Sequence, residues 1–221
     1  MMNLFREIGA LMHKEFSLEW KQKYAFNGLM LYVLSMVVVI SLAFVNGISL
    51  ATWNVVYWLI VLFAAINAVA KSFMSETPGQ LLYLYTLAHP AAIILSKMLY
   101  NFLILTAMSL LAWLGFSLFS NPAIENPTLF AAVVLLGSAA FSANLTLVTA
   151  IAARAENRTT LLAVLSFPLI VPILLTLIRA TSYAIQGLDP NFSYKSLWLI
   201  AGMTTGFVAA SVVLFPFLWR E

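Results

Sequence analysis

The stretch that decides the organisation of this chain is MSETPGQLLYLYTLAHPAAIILSK, residues 74–97. It lies between two long apolar runs, and no Asp, Glu, Lys or Arg occurs between Thr77 and Ser96. Pro78 and Pro90 interrupt it, and a proline inside a helix removes a hydrogen bond and clashes with the preceding turn. The 11 residues between the prolines would form about 16 Å of helix, whereas a membrane core of about 30 Å needs about 20 residues. We therefore predict a short amphipathic helix at the membrane surface rather than a span.

The composition is that of a polytopic membrane protein. The 221 residues are 63% hydrophobic and 9% charged, and the mean hydropathy is +0.98, as in chains that cross a membrane several times. No P-loop or GxGxxG motif occurs, and neither does a catalytic triad, a carboxylate pair or a metal cluster, so we predict a non-catalytic membrane subunit. The chain contains no cysteine, which excludes disulfides and thiolate metal sites. The net charge of +3 is too small to indicate nucleic-acid binding.

Six apolar runs are long enough to cross a membrane, so the prediction is a single all-α transmembrane domain over residues 1–221. The predicted spans are 26–45, 53–70, 98–119, 129–152, 160–178 and 197–217. Asn46-Gly47 is the predicted turn between the first two spans. Trp53, Tyr57 and Trp58 are predicted to lie at the membrane interface, where aromatic residues concentrate. Residues 179–195 are predicted to leave the membrane as a polar link.

The distribution of basic residues predicts the orientation. Six spans place both termini on one side, and only Arg179 and Lys195 fall on the other. Nine basic residues share the side of the termini: Arg6, Lys14, Lys21, Lys23, Lys71, Lys97, Arg154, Arg158 and Arg220. Since cytoplasmic loops carry the excess of Lys and Arg, we expect both termini to be cytoplasmic. Residues 74–97 and the charged link 154–158 lie on the same side in this prediction.

Residues 1–23 predict an amphipathic helix that lies in the plane of the membrane interface. One face is apolar: Leu4, Phe5, Ile8, Leu11, Met12 and Phe16. The other is polar: Asn3, Arg6, Glu7, His13, Lys14 and Ser17. Glu15 is the one polar intrusion on the apolar face. The pattern leaves two roles open, a passive anchor or a mechanical element.

Two patterns within the spans concern helix packing and gating. Gly202, Gly206 and Ala210 are spaced by four, which lets helix backbones approach closely, either in a homodimer or, the more frequent case, against a span of the same chain. Pro168 and Pro172 are predicted to kink the fifth span. The kinked helix is either a gate or a static bend.

No Asp, Glu or His is predicted at the centre of a span, which argues against proton or ion coupling and for an outside energy source. Asn67, Asn101 and Asn144 are the strongest polar candidates, and hydrogen bonding between helices is their expected role. His13 and His89 are both predicted to be cytoplasmic, so a paired-histidine haem site on the outer face is not expected, and neither is a metal ion.

The 74–97 stretch carries the candidate docking residues for a soluble partner. Glu76 precedes a helix start at Thr77-Pro78, where an acidic residue is favoured by the helix dipole. The apolar and aromatic side chains that follow suit a groove on a partner protein. The alternative is a surface helix buried against the bundle. The candidate coupling residues are Glu76, Gly79, Leu81, Leu82, Tyr83, Tyr85 and His89.

An interfacial N-terminal helix, six spans and a cytoplasmic segment between spans 2 and 3 resemble a type 2 ABC exporter membrane subunit. The resemblance is closest to the haem exporter protein B family (CcmB) of cytochrome c maturation, and it covers nearly the whole chain. It is carried by KSFMSETPGQLLYLYTLAHPAAIILSKMLYN at 71–101 and by LLGSAAFSANLTLVTAIAARAENRTTLLAVLSFPLIVPILL at 135–175. Of the family's motif before the cytoplasmic helix, this chain shares Gly79.

The resemblance implies an ABC transporter permease for cytochrome c-type biogenesis that works with three partners. These are a soluble ATPase subunit (CcmA-like), a haem-handling membrane protein (CcmC-like) and a haem chaperone (CcmE-like), with two copies of the permease per complex. Haem is implied as the exported or delivered substrate, with no tightly bound cofactor, and ATP hydrolysis is linked to release of the haem-loaded chaperone. The alternatives are a type 2 exporter of lipid, polysaccharide or drug, and a scaffold for the haem-handling protein that transports nothing.

Overall fold

The protein was analysed as a computed structural model, which describes residues 4–21, 24–45, 47–74, 88–119, 124–153, 157–187 and 190–218. These residues form seven α-helices and no strand, and six of the helices are long and apolar enough to cross a membrane. The predicted all-α membrane fold is thereby confirmed. The helices are α1 (Leu4–Lys21), α2 (Tyr24–Ala43), α3 (Leu50–Met74), α4 (Pro90–Phe119), α5 (Pro127–Ala152), α6 (Arg158–Gln186) and α7 (Pro190–Leu218).

Helices α2 to α7 alternate in direction, which gives the bundle two ends. The α1 end carries α1 and the start of α4, joined by a contact between Glu15 and Lys97. The far end carries the α4–α5 and α6–α7 connections, where the backbone N–H of Asn126 donates to the carbonyl of Ala184 at 3.0 Å. Long-range contacts of this kind fix which helix ends are neighbours.

Local sequence signals set the helix boundaries. The Asn126 side chain accepts a hydrogen bond from the Leu129 N–H, and Pro127 follows as the first residue of α5, which is a favourable start for a helix. Gly187 ends α6 in the left-handed conformation, with φ of 63°. Gly47 has φ of 100° in the α2–α3 connection, so the predicted turn occurs there at its glycine, a residue without the steric penalty that other residues have at positive φ.

Helix α4 begins earlier than the third predicted span. The interpretation of residues 74–97 treats Pro90 as an interruption, but Pro90 is the first residue of the 30-residue helix α4. Proline is tolerated at this position because the first N–H of a helix has no partner inside the helix. Residues 90–97 are therefore two turns of α4 and not part of a separate surface helix. Residues 75–87, which carry the predicted surface helix, lie outside the described residues.

The polar link predicted at 179–195 is wrong over most of its length. Helix α6 continues to Gln186, and α7 begins at Pro190. The reason is the pattern within residues 179–186, in which Ala180, Thr181 and Ala184 are buried on one face of the helix. Packing of this face maintains the helix beyond Arg179, although the local composition is polar.

Helix α5 occupies the centre of the bundle and contacts α3, α4, α6 and α7. Every residue from 140 to 150 is buried. A Cβ at Gly137 would lie 2.5 Å from the Trp58 ring and 2.8 Å from the Leu177 side chain. Glycine is needed at this position because any side chain would displace one of its two neighbours.

The aromatic residues at the start of α3 lie inside the bundle and not at its surface. Trp53, Tyr57 and Trp58 are completely buried, so they are not available as an exposed aromatic belt, and their depth in the membrane stays a prediction. Their rings pack against one another and against aromatic residues of α4 and α5: Phe116, Phe130 and Phe141. Since aromatic pairs with this geometry add to the stabilisation from burial, this far-end aromatic cluster holds α3 to the centre.

Candidate functional site

The α1 end of the bundle is held by a row of carboxylates on α1. They are spaced at 7, 15 and 19, and each accepts a hydrogen bond from the first part of α4. The pairs are Glu7 with the backbone N–H of His89 (3.1 Å), Glu15 with Lys97 Nζ (3.3 Å) and Glu19 with the Tyr100 hydroxyl (3.0 Å). We call these three contacts the α1–α4 clasp.

The central pair of the clasp is the most buried. The side chain of Lys97 is 1% exposed and that of Glu15 is 14% exposed. Lys14 Nζ lies 4.0 Å from the same Glu15 oxygen on the solvent side. A buried lysine side chain needs polar partners, and the Glu15 carboxylate at 3.3 Å is one of them.

Apolar contacts accompany the clasp. Leu11 packs on a small core cluster at the α1 end, formed by α4, α5 and α7: Ile93, Ile94, Met98, Ala143, Ala150 and Phe215. Phe16 meets the Tyr100 ring edge-on, with centroids 5.3 Å apart. Nearer the start of α1, Phe5 is 84% exposed. Helix α1 therefore presents one face to the bundle and keeps apolar side chains on its outer surface, as expected for an interfacial helix.

Most of the predicted coupling residues cannot be compared with the structure. Six lie outside the described residues: Glu76, Gly79, Leu81, Leu82, Tyr83 and Tyr85. His89 is described and exposed, and it lies immediately before α4 with its N–H on the Glu7 carboxylate. The clasp thus reaches the first residues that follow segment 75–87.

The two prolines of α6 lie on its exposed face. Pro168 and Pro172 are both exposed, whereas Ile170 and Ile173 face the core. Helix α6 continues through both prolines. Both prolines therefore lie on the outer side of the bundle in the described part of the chain. Whether the helix acts as a gate stays a prediction.

The small residues of α7 do not pack against another span of the same chain. Gly202 and Gly206 are exposed, and no described atom lies within 4 Å of the position that a Cβ would occupy at either residue. The expectation of close packing inside the chain is therefore wrong, because α7 turns this face away from α5 and α6. Contact with a second copy stays a prediction.

The three intramembrane asparagines differ in their partners. Asn101 Nδ2 donates to Thr146 Oγ1 on α5 at 3.0 Å, which confirms the expected bond between helices. Asn67 instead donates to the Phe63 carbonyl of its own helix, so the expectation is wrong there. Asn144 is completely buried, and both polar atoms of its side chain lack a hydrogen-bond partner among the described residues.

A second polar network joins α3 to α6 near the far end. Asn54 Nδ2 donates to the Ile178 carbonyl at 2.7 Å, and its Oδ1 lies 2.6 Å from Thr181 Oγ1. Trp58 Nε1 donates to the same Thr181 hydroxyl at 3.0 Å. The network contains no charged group and satisfies each of these buried atoms, so it stabilises one fixed arrangement of the two helices.

Sequence reasoning overlooked the clasp, although one signal for it was present. Glu15 interrupts the apolar face of α1, and a carboxylate on an apolar face indicates a buried partner. The partner could not be found from the sequence because Lys97 was counted as an ordinary basic residue outside a span. The Asn54–Thr181 pair gave no signal, since the two residues are 127 positions apart.

The clasp can hold two helices together, but it carries no reactive constellation. Its carboxylates face a lysine, a phenol and a backbone N–H, each of which acts as a donor. In the described ranges, no group of three or more His, Asp or Glu side chains could hold a metal ion. The arrangement therefore suits a mechanical role and not a chemical one.

A family model described as CcmB protein matches residues 6–219, nearly the whole chain. The match includes α1, all six apolar helices and the connection between α3 and α4. Comparison with curated proteins gives no match to this chain.

Proposed function

This chain belongs to the CcmB family and is a membrane permease subunit of a cytochrome c maturation ABC transporter, and we propose that it delivers haem outside the inner membrane under the control of an ATPase subunit. In this proposal, a CcmA-like ATPase hydrolyses ATP, and a CcmC-like protein and a CcmE-like chaperone handle the haem. The permease contributes to release of the haem-loaded chaperone. Both termini are cytoplasmic, and two copies form one complex.

The family match over residues 6–219 is the observation that carries the proposal. The position of segment 75–87 also supports it, because the segment connects two of the six apolar helices, α3 and α4. The clasp contacts α4 directly after this segment, at His89. A push on the segment would therefore act at the start of a long, stiff helix.

The packing of α5 bears on how haem would be handled. Residues 140–150 are all buried in the centre of the bundle, and Gly137 already lies against Trp58 and Leu177. Close-packed interiors transmit force, and entry of haem between these residues of α5 and their neighbours would require the helices to separate. We therefore place any haem route at the surface of the bundle or between two copies, and the mechanical release of the chaperone is the better-supported activity.

Deletion of the gene tests the function directly. Cells without this gene should lose c-type cytochromes in a haem stain of membrane proteins, and the restored gene should return them. The measurement requires a strain with no second copy of the gene. Normal c-type cytochromes in that strain would refute the proposed function.

Charged substitutions in the segment test the ATPase docking site. Leu82→Asp and Tyr85→Asp should abolish co-purification of the ATPase subunit without reducing the amount of permease in the membrane, because a carboxylate cannot enter an apolar groove. Thr128→Asp is the matched control, since it adds the same charge at the exposed start of α5, where the helix dipole favours an acid. Co-purification at the wild-type level in all three variants would place the docking site elsewhere.

The scaffold alternative predicts a different dependence on ATP. A scaffold would support cytochrome maturation when the partner ATPase binds ATP but cannot hydrolyse it. The proposed function requires hydrolysis, so the same ATPase variant should abolish the haem stain while both subunits remain assembled.

A further inference from the structure

The three contacts of the clasp are in register along two parallel helices. From Glu7 to Glu19 is 12 positions on α1, and from His89 to Tyr100 is 11 positions along the start of α4. At about 1.5 Å per residue these distances are about 18 and 16 Å. The near-equal lengths mean that α1 runs beside the beginning of α4 rather than across it. The clasp is therefore a lateral seam over three turns.

Helix α4 is longer than a membrane crossing requires, and its first turns form one side of this seam. Its 30 residues make about 45 Å of helix, whereas about 20 residues are enough to cross a hydrocarbon core. The contacts that Lys97 and Tyr100 make with α1 lie within the first 11 residues of α4, and this part of the helix accounts for the excess. This part of α4 is the continuation of segment 75–87, so a displacement of the segment acts on the clasped turns first.

We propose that Glu15 and Lys97, with Glu19 and Tyr100 beside them, are positioning residues that make α1 and the base of α4 move as one body when the ATPase acts on segment 75–87. The proposal deepens the proposed function and rests on it. The buried pair supplies the stiffness, since separation of the two groups would break a charge-assisted hydrogen bond in a site that is largely closed to water. The exposed apolar side of α1, with Phe5 at its start, keeps this body at the membrane surface.

The competing explanation is that α1 is only an anchor. An anchor needs the exposed apolar face, but it does not need a buried ion pair to the helix that follows the docking segment. The two explanations differ in what happens when the pair is removed without leaving a charge unpaired. The permease then keeps its fold. Its function is lost only if the pair transmits the movement of segment 75–87 to α1.

The decisive variant combines Glu15→Gln with Lys97→Met, because a buried ion pair replaced by neutral groups of similar volume often leaves stability unchanged. It is expressed with the ATPase subunit in the deletion strain. We expect unchanged permease in the membrane, unchanged co-purification of the ATPase and unchanged ATP hydrolysis. We expect haem-stained c-type cytochromes to fall about tenfold, the size of a typical coupling between two sites.

Two further variants complete the test. The exchange Glu15→Lys with Lys97→Glu restores the pair in the opposite sense and should restore the haem stain. Glu125→Gln is the matched control, because it removes an exposed carboxylate at the far end and should change nothing. A wild-type haem stain in the Gln/Met variant, or failure of the exchange variant to recover while it is present in the membrane, would overturn the proposal. Loss of ATPase co-purification in the Gln/Met variant would also overturn it, since the pair would then support docking and not transmission.

The test separates this proposal from the proposed function. If the deletion strain keeps its c-type cytochromes, the function itself is wrong, and the clasp variants are not needed to show it. If the deletion abolishes them and the Gln/Met variant does not, only the proposed role of Glu15 and Lys97 in transmitting the movement is wrong.

Discussion

The two ends of the bundle are held together by different means. At the far end, Trp53, Tyr57 and Trp58 form a completely buried aromatic cluster, backed by the uncharged Asn54–Thr181 network. At the α1 end, α1 is joined to α4 by three separate carboxylate contacts, beside a smaller apolar cluster on which Leu11 packs. One end is packed as a large aromatic core, whereas polar contacts carry a larger share of the joining at the other.

This difference indicates which end is suited to movement. Packed aromatic rings have one close arrangement, and any displacement costs many small contacts at once. Polar contacts can be broken one at a time, and elements that move in a working protein are usually the ones with fewer buried apolar contacts. We therefore expect the far end to be the fixed frame of the permease and the α1 end to be its moving part.

The largest expected effect is at the far end. Trp58→Ala should lower the free energy of unfolding by about 3–5 kcal/mol, the usual cost of removing a buried Trp, because the ring packs on Tyr57 and Phe141 and its Nε1 bonds to Thr181. Thermal unfolding of the detergent-purified protein measures it. Trp198→Ala is the control, since Trp198 is 76% exposed. An equal decrease in the free energy of unfolding in the two variants would show that the buried cluster contributes no more to stability than an exposed residue.

The next effect is at the clasp. Glu15→Gln alone should lower the free energy of unfolding by about 3 kcal/mol, because the buried Lys97 ammonium loses its counter-charge. The loss should be recovered when Lys97→Met is added. Amide hydrogen exchange should show increased opening in α1 and in the first turns of α4, but none at the far end. An increase spread over the whole bundle would contradict a locally fastened helix.

A smaller effect is expected in the uncharged network. Thr181→Val should lower the free energy of unfolding by about 1–2 kcal/mol, because Trp58 Nε1 and Asn54 Oδ1 each lose a partner in a buried site. Thr176→Val is the matched control, since that hydroxyl bonds to the Pro172 carbonyl of its own helix. The same thermal measurement applies, and a Thr181 variant no less stable than the control would show that the network contributes nothing.

The smallest expected effect has the opposite sign. Asn144→Leu should raise the free energy of unfolding by about 1 kcal/mol, because a buried amide without partners is replaced by an apolar group of similar size. Asn101→Leu, which breaks the bond to Thr146, should lower it. If Asn144→Leu also destabilises the protein, the amide has a partner in the assembled complex, and the co-purified complex should then show the larger loss.

Much of the fold could be predicted from residues considered locally. The six apolar helices, the turn at Gly47 and the amphipathic character of α1 follow from composition and periodicity, which act within one element. The predictions that failed depend on which residues from other helices surround a given position. Pro90 signals a break by its chemistry, but whether it ends one helix or starts another depends on which neighbours need the following turns. The exposed Gly202 stripe likewise has the composition of a packed face without a partner in this chain.

The features of the candidate site also separate into those determined by local sequence and those decided by tertiary contacts. The sequence by itself determined that the protein is an all-α membrane protein and that Glu15 is out of place on an apolar face, because hydrophobicity and charge are properties of single residues at known spacing. Only the tertiary structure decided that Glu15 meets Lys97, that Trp58 is buried inside the bundle, and that Asn144 has no hydrogen-bond partner among the described residues. These are contacts between residues distant in the chain, and their free energies depend on burial and distance, which no local pattern contains.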